Sequence, residues 1–440
     1  MEKKEMSNHW DVIVIGAGMA GLLTAYYLQE QGKRVLVLEA AETASGQTGR
    51  TTAKITSQHG LKYSTLIHTV GEKKARLYAQ ANEAAIREYA RLVKSQNVEC
   101  QFERVPAFLY TMQDTEKLKE EAKAALLLGI DAFITEHTEL PFPNVEALCF
   151  PEQAQFAPLQ FVRWIAGKLE ILEHTPVLAV RGNRVITDKG VWTADDIVMA
   201  THYPFRNVPG FYFMRQHQER SYVLALSGCR KIEGRYYSID PEGLSLRQMG
   251  DLLLLGGGAA RTGEPKVGGS YAFLRETAKR YFPEGKEEGS WSAQDCMPHD
   301  GIPFVGRYSV FTPHLYVATG FQKWGMTSSM IAALILRDLT GGLENPYAEI
   351  FSPQRLNFRA AAGGFLTDMG VSVKGLLKGR LRKTAPRCSH LGCELVWNPE
   401  EHTWECPCHG SRFKEEGELL DEPAQTRITE KQYFRQDSSE

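Results

Sequence analysis

The run DVIVIGAGMAGLLTAYYLQEQGKRVLVLE, residues 11–39, restricts this chain to few folds. Its opening DVIVIG is a succession of branched apolar residues, the pattern of a strand buried on both faces of a parallel sheet. The strand runs directly into Gly16, Ala17, Gly18, Met19, Ala20 and Gly21. Leu22, Leu23, Tyr26 and Leu28 then recur at helical spacing, and Gly32 ends the helix. KRVLVLEA forms a second buried strand that finishes at Glu39, which completes a βαβ unit.

Each glycine has a separate task in such a unit. One permits the tight turn, one lets the backbone approach a diphosphate, and one allows the helix to pack closely on the strand. The diphosphate then lies on the positive end of the helix. Glu39, at the tip of the second strand, is placed to accept hydrogen bonds from ribose hydroxyls, and its charge would repel a 2′-phosphate. The turn by itself leaves FAD and NAD equally open.

Several classes are excluded by composition. The chain has 440 residues, more than one core ordinarily holds, so two or three domains are expected. A hydrophobic share of 43% and a charged share of 24% describe a globular chain rather than a disordered or fibrous one. The net charge of −2 supplies no long-range attraction for nucleic acid or an anionic membrane, so neither is an expected partner. KGLLKGRLRK, residues 374–383, is locally basic and reads as a solvated linker. No apolar run is long enough to cross a bilayer, and nothing like a signal-peptide core precedes the first strand, so a cytoplasmic location is expected. In that compartment clustered cysteines point to metal or redox chemistry. Cys100, Cys149, Cys229 and Cys296 are scattered among apolar neighbours and read as buried bystanders.

Three further segments follow the βαβ unit in order: AAETASGQTGRTTAKITSQHG (40–60), ADDIVMATHYPF (194–205) and HLYVATGFQKWGMTSSMIAALILRDLTG (314–341). The last reads as strand, glycine loop and helix. With DCMPHDGIPFVGR (295–307), this order resembles the D-amino-acid oxidase and glycine oxidase superfamily of FAD-dependent oxidoreductases over residues 10–345. The resemblance implies that Gly16, Gly18, Met19, Ala20, Gly21 and Glu39 bind FAD. It further implies that Arg50, Thr51, Thr52 and Ala53 lie near the flavin, that Val177 contacts the adenine side, and that Gly320, Trp324, Gly325, Met326 and Thr327 close the isoalloxazine pocket. A helix starting near Gly325 would aim free N–H groups and its dipole at the flavin pyrimidine edge. Lys323 matches by position an arginine that clamps a substrate carboxylate, although a point cation replaces a planar fork. It is the candidate catalytic residue, while His202, Arg247 and His299 read as structural.

The implied fold is α/β, α+β overall. A Rossmann-like FAD-binding part (about 10–60, 150–205 and 295–345) interleaves with a mixed-sheet substrate lobe (61–149 and 206–294). The implied chemistry is hydride transfer from an amine or amino-acid-like small molecule to flavin N5.

CSHLGC (388–393) and CPCHGS (406–411) hold half of the eight cysteines. Cys388-x-His390, fifteen intervening residues, and Cys406-x-x-His409 supply two thiolates and two imidazoles. That inventory suits either a tetrahedral zinc site or a Rieske cluster with two cysteines on one iron and two histidines on the other. Zinc leaves the extra cysteine of each box and the HGS ending unaccounted for. Both boxes resemble the Rieske family, which implies a [2Fe-2S] cluster on Cys388, His390, Cys406 and His409 and a disulfide between Cys393 and Cys408. Ser411 then bonds a bridging sulfide, and Phe413 stands in place of a tyrosine, so the potential should lie below that of respiratory members. Residues 384–435 form a small all-β domain after a linker at 346–383, with the usual N-terminal strands missing. The order resembles flavoenzymes with a fused Rieske domain, in which electrons pass from FAD to the cluster and on to an external acceptor. A redox sensor without organic turnover, or a flavoenzyme with an apo or zinc-bound C-terminus, stays open.

Overall fold

The computed structural model describes residues 9–143, 145–355, 357–381, 385–429 and 432. Strand β1 (His9–Ile15) is central to its sheet, and its core-facing Val12, Ile13 and Val14 are wholly buried. It pairs in parallel with β2 (Val35–Leu38) and β3 (Gly190–Met199), while Leu315–Thr319 pairs in parallel with β3. The remaining strands of this sheet are Glu170–Leu172, Val177–Arg181, Arg184–Thr187 and Phe304–Arg307. Helices α1 (Met19–Glu30) and α2 (Gly325–Thr340) are apolar around most of their circumference and buried to match, as expected of crossover helices covering a parallel sheet.

A second eight-stranded sheet is mixed. Its long members are β4 (Gln216–Ser227), β5 (Leu252–Arg261) and β6 (Lys286–Pro298), with β4 antiparallel to both others. One face of this sheet carries the helix Ser270–Tyr281 over a core that includes Tyr222, Leu224, Leu255 and Leu274.

The C-terminal part is a four-stranded antiparallel meander of β7 (Val396–Asn398), β8 (Thr403–Glu405), β9 (Arg412–Lys414) and β10 (Leu419–Asp421). Its small core is built from Cys388, Cys393, Leu395, Cys406, Cys408, Phe413, Ala424 and Ile428. Residues 358–381, expected as a linker, form helix α3 (Phe358–Leu381) instead. The tail of the basic run, residues 382 and 383, lies outside the described residues. Two glycines of this helix have a packing reason. A Cβ on Gly375 would stand 2.7 Å from Cys408 Sγ, and one on Gly379 would stand 2.4 Å from Gly392 O. Helix α3 therefore lies directly on the cysteine loops.

Candidate functional site

A cavity of about 940 Å³ opens at the carboxyl ends of β1 and β3, where ligands bind open α/β sheets. The glycine turn divides its work there. Gly16 has φ +105°, and a Cβ on it would stand 2.6 Å from Ala200 O. On Gly21 a Cβ would fall 1.9 Å from Gly16 O, so this glycine is required for helix–strand packing and does not reach the cavity. Gly18 meets only Thr48 Oγ1, at 3.3 Å, and faces the cavity, which leaves the space a diphosphate needs. Helix α1 has no side-chain cap at Gly18, although Met19 N–H donates to Thr48 Oγ1 at 3.0 Å. Glu39 lines the cavity and accepts from Ala17 N–H at 2.7 Å and Ala41 N–H at 2.9 Å, one on each carboxylate oxygen. Each oxygen keeps a second lone pair for a ribose hydroxyl.

Of the other residues expected near FAD, Met19, Ala20, Arg50, Thr51, Thr52, Val177, Gly320, Trp324, Gly325 and Met326 line the cavity. Ala53 and Thr327 do not. Ala53 is wholly buried behind the wall with φ +49°, its N–H bonded to Thr51 Oγ1. Thr327 is buried and donates to Thr56 O at 3.1 Å. Helix α2 has no side-chain cap at its start, and the glycine loop before it brings that end to the cavity.

Charged groups gather at the end of the cavity nearest the second sheet. Lys323 lines the wall with its ammonium 3.4 Å from Glu219 Oε2. Sequence reasoning missed the residues around it. Lys54 also lines the wall, and burial pushes it down to about 7, with Arg235, Arg247 and Lys323 adding repulsion. Asp295 is pushed up to about 7 by burial, against the attraction of Lys323 and with the repulsion of Glu219. Tyr237 stands edge-on to Trp324 and under the Lys54 ammonium. The period-two pattern of β6 was a signal that placed Asp295 and Cys296 on opposite faces, but it could not say which face met a cavity. Arg247 is buried and bonded to Gln155 Oε1 and Phe156 O, a structural role, whereas His202 lines the cavity.

The second site is the cysteine core. The thiols of Cys393, Cys406 and Cys408 lie within 4.8 Å of one another, and the Cys388 thiol is pushed up by its hydrogen bond with Cys406 and by burial. His390 and His409 bring their ring centroids to 5.1 Å at an interplanar angle of 83°. Nδ1 of both histidines is buried and has no hydrogen-bond partner. His390 Nε2 lies 3.0 Å from Asn207 Oδ1, so the proton belongs on Nε2 and the Nδ1 lone pair is left for a metal. Burial pushes His390 down to about 4 and His409 to about 3, which keeps both neutral. Two thiols and two orphaned imidazole nitrogens are the donor set of a Rieske cluster. Ser411 lies beside the Cys388 thiol, and Phe413 is wholly buried.

The expected disulfide between Cys393 and Cys408 is corrected by the structure, in which all eight cysteines are free. Cys393 shares its surroundings with both Cys406 and Cys408, so its sulfur has no single bonded partner.

The two sites share a wall, which no local motif announced. Leu419, Leu420, Asp421, Glu422, Ala424, Gln425 and Thr426 of the C-terminal part line the flavin-type cavity. Gln218 Nε2 donates to His409 O and Glu422 O at 2.8 Å each, and Gln294 Nε2 donates to Gly410 O at 2.8 Å. Arg261 donates to Pro407 O at 2.8 Å and Cys408 O at 3.1 Å. Below them Arg220, with a side chain 2% exposed, pairs with Glu401 and Glu405, and Arg412 pairs with the same two carboxylates and with Asp421 at 2.7 Å.

A dinucleotide cavity and a two-cysteine, two-histidine pocket in one folded body define a flavin-dependent oxidoreductase fused to an iron–sulfur module. The chain belongs to the FAD dependent oxidoreductase family, which matches residues 11–339, and it carries a Rieske [2Fe-2S] domain matched over residues 363–432. It is 35% identical over 466 aligned positions to a putative Rieske 2Fe-2S iron-sulfur protein, YhfW, of Bacillus subtilis, covering 94% of this chain and 92% of that one. A stretch of 37 residues is 49% identical to a cytochrome b6-f complex iron-sulfur subunit of Nostoc, covering 8% of this chain and 21% of the other. The fold matches glycine oxidase from Geobacillus kaustophilus with a TM-score of 0.66 at 17% identity, over 79% of this chain and 99% of that one. L-amino acid deaminase from Proteus vulgaris matches with a TM-score of 0.64 at 19% identity, over 81% and 96%. FAD and a [2Fe-2S] cluster are the implied cofactors, and the residues described above fit both. Among the described residues no helix is long and apolar enough to cross a membrane.

Proposed function

We propose that the protein oxidises an amine bearing a carboxylate, of the amino-acid class, and passes the two electrons one at a time through the cluster of its own C-terminal domain to an external acceptor. The wall common to the two sites carries this reading, because Leu419 and Ala424 pack in or against the cysteine core and also line the cavity. Glycine oxidase and L-amino acid deaminase, named for amino-acid chemistry, share the fold and support the substrate class.

In this reading Gly18 and Met19 cradle the diphosphate, Glu39 holds the ribose, and Val177 contacts the adenine. Arg50, Thr51, Thr52, Gly320, Trp324, Gly325 and Met326 surround the isoalloxazine. Cys388 and Cys406 hold one iron, and Nδ1 of His390 and His409 holds the other. Bound FAD supplies a two-electron hydride acceptor, and the cluster supplies a one-electron carrier. Lys323 and Lys54 hold the substrate carboxylate. With Lys54 near neutrality in a dry wall, an arriving carboxylate favours its charged form and is fixed in place. Asp295 takes the proton from the substrate ammonium, since only the neutral amine can release hydride from the adjacent carbon. Trp324, stacked on His59 with centroids 4.7 Å apart, holds this end of the cavity rigid.

The test is anaerobic addition of an amino-acid and N-alkyl amino-acid panel to the purified protein, followed by optical and paramagnetic resonance spectra. At least one compound should bleach the flavin and produce the signal of a reduced Rieske cluster. Flavin bleaching with a cluster that stays oxidised would remove the relay. A protein that binds both cofactors and reacts with no amine is a redox sensor.

A further inference from the structure

Apart from both sites, His217 on β4, His299 just after β6 and Asp368 on α3 converge. One ring nitrogen of each histidine and one carboxylate oxygen lie within 4.8 Å of one another. His217 Nδ1 is 3.2 Å from Asp368 Oδ2, and His299 Nε2 is 3.4 Å from the same oxygen. Charge-assisted N–H···O bonds run about 2.7–2.9 Å. Here two imidazoles converge on a single carboxylate oxygen at separations longer than that range. A divalent ion with bonds of about 2.0–2.1 Å to nitrogen and oxygen sets ligand-to-ligand edges of about 3.3–3.4 Å in a tetrahedron. The two nitrogen–oxygen separations, 3.2 and 3.4 Å, match those edges.

The surroundings fit as well. His217 Nε2 faces Glu219 Oε1 at 3.5 Å, the carboxylate–histidine arrangement that fixes a ligating tautomer. Arg261 holds the other oxygen of Asp368, leaving Oδ2 directed at the two rings. The His299 side chain is 3% exposed and Asp368 9%. His299 Nε2 also lies 3.2 Å from Met214 O, a further oxygen in reach. The facing charges are two carboxylates, Asp368 and Glu219, against Arg261 and the more distant Lys323.

We infer that His217, His299 and Asp368 form a mononuclear site for a divalent first-row cation, Zn²⁺ or Fe²⁺. Two imidazoles and one carboxylate are a donor set these ions favour. The ion fastens α3 to the catalytic lobe, because Asp368 belongs to α3 while both histidines belong to the lobe's second sheet and its exit. That helix carries Gly375 and Gly379 onto the cysteine loops, so the ion also stiffens the cover of the cluster.

Equilibrium dialysis of the FAD- and cluster-loaded protein against zinc chloride, with metals counted by mass spectrometry, tests this. One zinc per chain is expected beyond the cluster iron, bound at least ~10-fold more weakly in His217→Gln and in His299→Gln. The thermal midpoint should rise with zinc in the wild type and not in either variant. Retained flavin and cluster absorbance shows that each variant is folded. His217, with a side chain 22% exposed, carries the test should the His299 variant fail to fold. Absence of zinc on the wild-type protein, or equal zinc affinity in a folded His217 variant, overturns the site.

Discussion

Replacing Gly379 by alanine probes whether α3 positions the cluster loop. The added carbon would stand 2.4 Å from Gly392 O and 3.0 Å from Glu394 N, both backbone atoms of the loop that carries Cys388 and His390. A relaxed carbon–oxygen contact is about 3.3 Å or more, so the loop must retreat by about 0.9 Å. Overpacking of this kind costs about 1–3 kcal/mol, while exchanging glycine for alanine in a helix returns up to about 1 kcal/mol. Gly370 is the control on the same helix, since a Cβ there meets nothing within 4 Å. The propensity gain is common to both changes, so the difference between the variants isolates the packing cost. That difference, about 1–3 kcal/mol, is a ~5- to 150-fold change in the equilibrium for opening the loop. Release of cluster iron to a ferrous chelator follows that equilibrium when reclosing is fast. Gly379→Ala should lose its cluster absorbance faster than Gly370→Ala by this factor, with flavin absorbance intact in both. Equal release rates would mean that α3 does not bear on the loop.

Three further outcomes are expected. Asn207→Leu removes the acceptor for His390 Nε2–H and should weaken cluster retention by ~10- to 100-fold, read as cluster absorbance after dialysis. Arg220→Met takes one of the two guanidinium groups from Glu401 and Glu405 and leaves Arg412, and should lower stability by about 3–5 kcal/mol in a urea titration followed at the cluster, with Arg220→Met/Glu401→Gln recovering part of it. Asp295, held at about 7, should impose an ascending limb on kcat/KM for an amino-acid substrate, rising through about pH 7 and absent in Asp295→Asn. The sign for stability is opposite: a carboxyl that binds its proton more tightly in the fold than in the unfolded chain contributes most below about pH 4 and loses that contribution as pH climbs through 7.

The glycine turn and the two ligand boxes were readable from spacing alone. Gly16, Gly18 and Gly21 act within six residues, and the geometry they need is set by the strand and helix on either side. Cys388 with His390 and Cys406 with His409 likewise project from two short loops, so covalent spacing brings each pair together. Misreadings arose where partners are remote. Ala53 and Thr327 sit in segments that line the cavity, yet Ala53 is buried with a positive φ and Thr327 turns its hydroxyl to Thr56 O. Cys393 and Cys408 looked like a bridged pair, but whether two sulfurs bond depends on where two loops meet, and here three thiols meet together. The basic run read as a linker because of its charge, and its glycines, Gly375 and Gly379, disfavour a helix. Packing on the cysteine loops outweighs that penalty of about 1 kcal/mol per glycine.

What the chain itself determined is a diphosphate turn and a cysteine–histidine donor set, each written in short contiguous stretches, and the order of its segments carried the resemblance that named the two cofactors. Only the tertiary structure decided that these cofactors share a wall, that Gln218, Gln294 and Arg261 grip the carbonyls of the cluster loop, and that Lys54, Asp295 and Lys323 face one cavity. Those groups lie tens to hundreds of residues apart, and period-two strand patterning fixes which residues share a face without fixing which face meets which partner. Long-range packing of sheet, helix and loop supplies that choice.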